Sequence, residues 1–287
     1  MQSIVVKAHG KINLSLDILD RYSNGYHQIR SVMQSIALAD KLTVSKTAAG
    51  IDLQVNISSI PAQENLAYKA AQRFFEAASL TQGARIILEK NLPIAAGLAG
   101  GSANAAAVLW ALNQLYGTPF CISGLQKLAV KLGADVAFCL QGGTLLAEGI
   151  GEQLTELPLV DCFEFVLAKP NPSISTKEVF QALKPSDFGD RYTSRLVQAL
   201  RQGEDITRYF GNALEPISTS FVPEIGLWRE RMVRAGAKAS MMSGSGPTVV
   251  GVFTSRRLAA QFVAGWQDQC WMAITKPWVA GISVVKE

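Results

Sequence analysis

Three segments of the 287-residue chain hold residue types suited to phosphate chemistry. The densest is Pro93-Ile94-Ala95-Ala96-Gly97-Leu98-Ala99-Gly100-Gly101-Ser102-Ala103-Asn104. A strand-like run, Ala84 to Leu88, leads into this small-residue loop, and an alanine-rich helix follows at once. Glycines let the backbone approach a phosphate and turn its amides inward, while a helix N-terminus adds free N–H groups and partial positive charge. Ser102 stands where a hydroxyl reaches a phosphate or its Mg²⁺. The loop is not a Walker A sequence, since no Gly-Lys-Ser/Thr follows, nor a G-x-G-x-x-G fingerprint. Small residues at a helix start serve close packing as readily as anion binding, so composition leaves the two uses level. The second segment is Lys7-Ala8-His9-Gly10-Lys11-Ile12-Asn13-Leu14, where strand alternation puts Lys11 and Asn13 on one face and Ile12 and Leu14 on the other. The third is Met241-Met242-Ser243-Gly244-Ser245-Gly246-Pro247, a glycine-rich turn just before a strand. An acid framed by glycine, Gly133-Ala134-Asp135-Val136, is a candidate proton acceptor, with Asp17 and Asp20 as rivals in a turn-rich stretch. Taken singly, Lys11 reads as an exposed strand residue and Asp135 as a turn or N-cap carboxylate.

The three segments together, at these spacings over nearly the whole chain, resemble the GHMP kinase superfamily. Gly25-Tyr26-His27, Gly133 to Val136, Ser173 to Phe180 and Gly211-Asn212-Ala213-Leu214-Glu215-Pro216 narrow the resemblance. They are similar to the branch that phosphorylates the 2-hydroxyl of a cytidine diphosphate-linked tetritol in non-mevalonate isoprenoid synthesis. The resemblance implies a two-domain α+β fold, with a ribosomal-protein-S5-domain-2-like N-terminal half and a ferredoxin-like α/β C-terminal half. ATP with Mg²⁺ is the implied cofactor pair. Pro93 to Asn104 would cradle its phosphates, and Asn65 and Lys90 would lie on its adenine side. Asp135 would take the attacking hydroxyl's proton, and Lys11 would hold that hydroxyl and offset developing charge. Tyr26 and Phe180 would stack on a cytosine ring, His27 would read its edge, and Asn13 and Thr176 would bond nearby polar atoms. Aromatic residues are more often core than clamp, so for Phe180 both uses stand level. The chain departs from the superfamily at Ala95, Ala96, Ala99 and Ala103, where Gly or Ser is frequent. Alanine keeps the loop small, but a phosphate contact from position 103 is lost. The implied alternatives are a sibling acting on homoserine, mevalonate or a sugar, and a non-catalytic ligand-binding module.

The elements that must position these residues are legible in outline. β-branched and alternating runs at Ile4 to Ala8, Ile12 to Ile18, Lys41 to Val44 and Ile51 to Ile57 predict strands, with a turn at Asn24-Gly25. The stripe Leu66, Ala70, Phe74 predicts a helix over Glu64 to Ala78. Further helices are expected over Ala103 to Tyr116 and Gly124 to Leu132. In the second half they are expected over Thr176 to Leu183, Thr193 to Leu200, Pro223 to Ala235 and Arg257 to Trp266. Phe163 to Leu167 reads as a strand, and Thr248 to Phe253 and Gly281 to Val285 as a strand pair. A boundary near Gly149 to Pro158 divides the chain into an ATP-binding part, 1–155, and a substrate-binding part, 156–287. The five tryptophans read as packing.

Composition excludes several classes. At 48% hydrophobic and 17% charged residues the chain is globular rather than disordered. Cys121, Cys139, Cys162 and Cys270 are too dispersed for a disulfide scaffold or a zinc site, and no protein metal cluster is expected. A net charge of +4 without a basic tract argues against nucleic acid. The apolar window Ile94 to Leu112 carries Gly97, Gly100, Gly101, Ser102 and Asn104 in its first half, which does not suit a membrane span. The expectation is a cytoplasmic enzyme, monomeric or a weak homodimer.

Overall fold

A computed structural model describes residues 2–57 and 60–285. Strand alternation draws the first part into a long antiparallel hairpin of β1 (Ser3–Arg21) and β2 (His27–Thr47). The predicted turn closes it, with Gly25 at φ +88° and the Tyr22 N–H donating to the Tyr26 carbonyl at 2.8 Å. The two runs read apart at Gly10 are therefore one strand, irregular between His9 and Lys11 and between Asn13 and Ser15. β3 (Ile51–Val55), α1 (Leu66–Ala78), β4 (Gly83–Glu89), α2 (Gly100–Leu115), α3 (Ile122–Leu132), α4 (Ala134–Gln141), β5 (Thr144–Glu148) and β6 (Gln153–Glu156) follow. α1 starts later than predicted because Asn65 caps it, its side chain accepting the Ala67 N–H at 2.9 Å. α2 starts earlier, so Gly100, Gly101 and Ser102 form its first turn rather than the loop.

The second part holds β7 (Glu164–Lys169), α5 (Thr176–Gln181), α6 (Thr193–Gln202), β8 (Gly211–Asn212), α7 (Glu215–Phe221), α8 (Glu224–Arg234), β9 (Ala239–Met242), β10 (Val249–Phe253), α9 (Arg256–Trp266), β11 (Trp271–Thr275) and β12 (Ile282–Val284). Its sheet is antiparallel in the order β11-β7-β10-β9, and α8 and α9 cover it. Strands joined β7–α8–β9–β10–α9–β11 in that order make a ferredoxin-like layer. The first sheet runs β12-β1-β2-β4-β3, with β5 and β6 continuing from β2 and β8 lying parallel to β1. The expected pair Thr248–Phe253 with Gly281–Val285 is thus corrected. β10 lies between β7 and β9, whereas β12 joins β1 in the other sheet, with Val284 opposite Val6. Alternation identifies a strand but not its partner. The boundary expected at 155/156 meets the last residues of β6, and β8 and β12 return to the first sheet from beyond it.

Burial follows the layers. Val6, Ala8, Leu42 and Val44 of the first sheet pack under Phe74 of α1 and the alanines of α2. Ile12 and Leu14 share a core with Phe165 and Leu167 of β7, so the two halves are joined behind the face that carries Lys11. A third core gathers Val249, Phe253, Trp228 and Phe262. Trp228 and Trp266 pack edge to face, with Arg231 over both rings, and Trp278 stacks on His9 at 5.1 Å. Among the described residues no helix is long and apolar enough to cross a membrane.

Candidate active site

A cleft of about 710 Å³ opens between the two halves, and the three sequence segments converge on it. Lys11 projects from β1 with its side chain only 4% exposed. Its ammonium donates to Asn13 Oδ1 at 2.8 Å and lies 3.5 Å from Asp135 Oδ2. Asn13 is held in turn, donating through Nδ2 to Ser31 Oγ at 2.8 Å, and Ser31 donates to the Ser15 carbonyl at 2.6 Å. A buried ammonium needs such partners, because desolvation without them is costly. Asp135 occupies the first turn of α4, where the helix dipole favours a carboxylate. The far end of α4 is fixed by close backbone approach: a Cβ on Gly281 would lie 1.8 Å from the Cys139 carbonyl oxygen. Burial, with Asp135 adding to it, pushes the Cys139 thiol far above its ordinary range, so it is a neutral neighbour of the pair.

The loop from Pro93 to Ala99 forms the opposing wall. Ala95, Gly97 and Ala99 all take positive φ, at 50°, 73° and 54°. Gly97 admits no side chain, since a Cβ would meet the Ser243 carbonyl oxygen at 2.2 Å. No side chain caps α2, so the amides of its first turn, Gly100, Gly101 and Ser102, are free of intrahelical partners. Such an end is suited to an anion. Ser102 and the largely buried Asn104 line the cleft, whereas Ala103 is buried beneath it. Lys11 N–H donates to the Leu98 carbonyl at 3.1 Å, which ties the loop to β1.

The turn at 243–247 closes the arrangement. The fully buried Ser243 donates through Oγ to the Gly97 carbonyl at 2.9 Å and accepts the Asn13 N–H at 3.3 Å. Asn212 Nδ2 donates to the carbonyls of Met242 and Gly244 at 2.8 and 2.7 Å. Glu215 accepts the Met242 N–H at 2.7 Å, and burial raises its pKa against the lowering effect of that bond and of Arg229. The Gly211–Pro216 motif therefore braces this turn.

Other candidates fall in three places. Thr176 and Phe180 of α5 line the cleft, and the Thr176 and Ser245 hydroxyls share a hydrogen bond at 2.7 Å. The His27 ring packs against Phe180 at 5.3 Å and Phe188 at 5.9 Å. Burial, then the charge of Arg21, lowers the His27 pKa, which keeps the imidazole neutral with one donor and one acceptor. Tyr26 sits on the hairpin turn, 61% exposed, and is not part of the cleft wall. Asn65 and Lys90 line the opposite end, although the Asn65 oxygen is committed to capping α1. The rival Asp17 is fully buried and accepts the N–H groups of Arg191, Tyr192 and Thr193 at 3.0, 3.1 and 2.7 Å, a structural task. Sequence reading missed Ser31 altogether, and it placed Ser243 and Asn212 in motifs without assigning them their supporting bonds. It also missed Asp40, whose place on the buried face with Leu42 and Val44 was a usable signal.

Residues 65–143 match the GHMP kinases N terminal domain and residues 196–270 the GHMP kinases C terminal domain. The 4-diphosphocytidyl-2-C-methyl-D-erythritol kinase of Acetivibrio thermocellus is 40% identical over 275 residues, covering 94% of this chain and 97% of its own. Its namesake from Pelotomaculum thermopropionicum is 43% identical over 269 residues, covering 92% and 94%. A crystal structure of 4-(cytidine 5'-diphospho)-2C-methyl-D-erythritol kinase aligns with a TM-score of 0.84 at 34% identity, over 96% of this chain and 99% of that one. Homoserine kinase from Cytophaga hutchinsonii aligns at 0.79 with 20% identity, over 99% and 98%, and so shares the fold.

Proposed function

The chain belongs to the 4-diphosphocytidyl-2-C-methyl-D-erythritol kinases of the GHMP kinase family, and we propose that its cleft performs their reaction with the residues gathered there. It phosphorylates 4-diphosphocytidyl-2-C-methyl-D-erythritol in the non-mevalonate route to isoprenoid precursors, with ATP as donor and the 2-hydroxyl as acceptor. The observation that carries the residue assignment is the Lys11–Asp135 pair, 3.5 Å apart, facing an uncapped helix N-terminus across one cleft.

Phosphoryl transfer rests on positioning and charge neutralisation. Asp135 accepts the proton of the substrate hydroxyl as its oxygen bonds to the γ-phosphorus. The bond from that phosphorus to the β–γ bridging oxygen breaks, and ADP leaves. Lys11 stands beside the reacting oxygen and stabilises the charge that develops there. The loop from Pro93 to Ala99, with the first-turn amides of α2, holds the phosphates. Asn65 and Lys90 face the adenine, and Asn13, His27, Thr176 and Phe180 face the cytidine substrate, with Tyr26 at the cleft's outer margin. The Ser102 hydroxyl and the Asp135 carboxylate supply the oxygen donors that Mg²⁺ prefers, and the ion would neutralise triphosphate charge when bound with the nucleotide. Four free thiols fit a reducing, cytoplasmic compartment, and a sequence without a basic tract fits an enzyme that acts without nucleic acid.

A panel of alcohols assayed with ATP tests the reading. The cytidine diphosphate-linked tetritol is expected to be turned over and to give a phosphomonoester at its 2-hydroxyl. Preference for homoserine, mevalonate or a sugar would contradict it.

A further inference from the structure

Asp40 is fully buried in β2, next to no reacting group, yet its carboxylate collects four donors. Oδ1 accepts the N–H groups of Asn91 and Leu92 at 2.7 and 2.8 Å. Oδ2 accepts Asn104 Nδ2 at 2.8 Å and also the Lys90 ammonium. Lys90 donates again, to Asn104 Oδ1 at 3.1 Å, so the three side chains form a closed ring of contacts. These partners bracket the anion-binding loop: residues 90–92 enter it, and Asn104 lies in α2 immediately after its first turn. A single carboxylate therefore clips both ends of the loop to the central hairpin. It also neutralises a lysine that is 8% exposed on the nucleotide side of the cleft.

We propose that Asp40 is a positioning residue for the nucleotide: it fixes the spacing of the phosphate loop and holds Lys90 in place at the nucleotide end of the cleft wall. The inference rests on the kinase reading above, but nucleotide affinity tests it separately from turnover. A non-hydrolysable ATP analogue and the cytidine substrate are each titrated by calorimetry against wild type, Asp40→Asn, and the swap Asp40→Asn with Asn104→Asp. The swap returns a carboxylate to Lys90 from the other side, while the carboxamide introduced at position 40 keeps an oxygen for the two backbone amides. Asp40→Asn is expected to weaken the analogue about tenfold or more, the scale of a lost hydrogen bond to a charged group. Affinity for the cytidine substrate is expected to stay within about twofold, and the swap to recover most of the analogue affinity. Unchanged analogue affinity in folded Asp40→Asn would overturn the proposal. So would parallel loss of both ligands, or a swap that restores melting temperature without restoring analogue affinity. If Asp40→Asn does not fold, Asn104→Leu carries the same comparison, with selective loss of the analogue expected and no selectivity contradicting. Failure of wild type to bind the analogue at all would instead count against the kinase reading.

Discussion

Two aromatic side chains show how much a single residue's setting decides. Phe180 lines the cleft with His27 against its ring, whereas Tyr26 lies exposed on the turn outside it. Phe180→Ala is therefore expected to raise KM for the cytidine substrate roughly 5- to 150-fold, the worth of one base–aromatic stack. KM for ATP should hardly move, and steady-state kinetics with each substrate varied checks the split. His9 governs a different property. It is buried against Trp278, its Nδ1–H donating to the Ile36 carbonyl at 3.1 Å. Burial, helped by the charge of Lys7, lowers its pKa from 6.5 to about 4. The unfolded chain therefore takes up this proton first, so the His9 contribution is intact above 6.5 and is lost as pH falls toward 4. Between about pH 7.5 and 4.5 the loss should reach about 2.5 kcal/mol, and urea denaturation of His9→Gln should lack that part of the slope. Neither environment could be read from the chain: histidine and tyrosine show their type in sequence, but not which neighbours remove their water.

At the scale of elements, the loop before α2 was legible as a loop because its signal is local: small residues between a strand and a helix. Its start was misjudged because glycine is a poor helix former, yet Gly100 and Gly101 lie in the first turn of α2. α4 gave no periodic signal, since Val136 to Leu140 are all buried and an unbroken apolar run fits helix or strand alike. The backbone of the loop makes two opposite predictions. Gly97→Ala would force a Cβ onto the Ser243 carbonyl and should cost at least about 2 kcal/mol of stability, with a loss of ATP affinity. Ala99→Gly removes a left-handed alanine and should be neutral or up to about 1 kcal/mol stabilising. Thermal denaturation and nucleotide titration of both variants check the pair. Destabilisation by Ala99→Gly comparable to that of Gly97→Ala would mean that the alanine methyl has a packing role.

For the whole molecule, the two-domain kinase architecture was accessible through the motifs' resemblance to the GHMP kinases, while strand pairing was not. The return of β12 to the first sheet is a long-range match between Val284 and Val6 that no local pattern announces. The fold's achievement is to bring Lys11 from β1, Asp135 from α4, the loop before α2 and the turn before β10 to one cleft. None of these segments is a site alone. The central claim is that this assembly transfers a phosphoryl group with Asp135 as proton acceptor. Rapid-quench single turnover of Asp135→Asn, with ATP and the cytidine substrate both saturating, tests it most directly. The account predicts phosphoryl transfer slowed by about 10²–10⁴-fold, with affinity for an ATP analogue preserved. A variant that keeps more than about a tenth of the wild-type rate would contradict it, because a lost general base costs more than that.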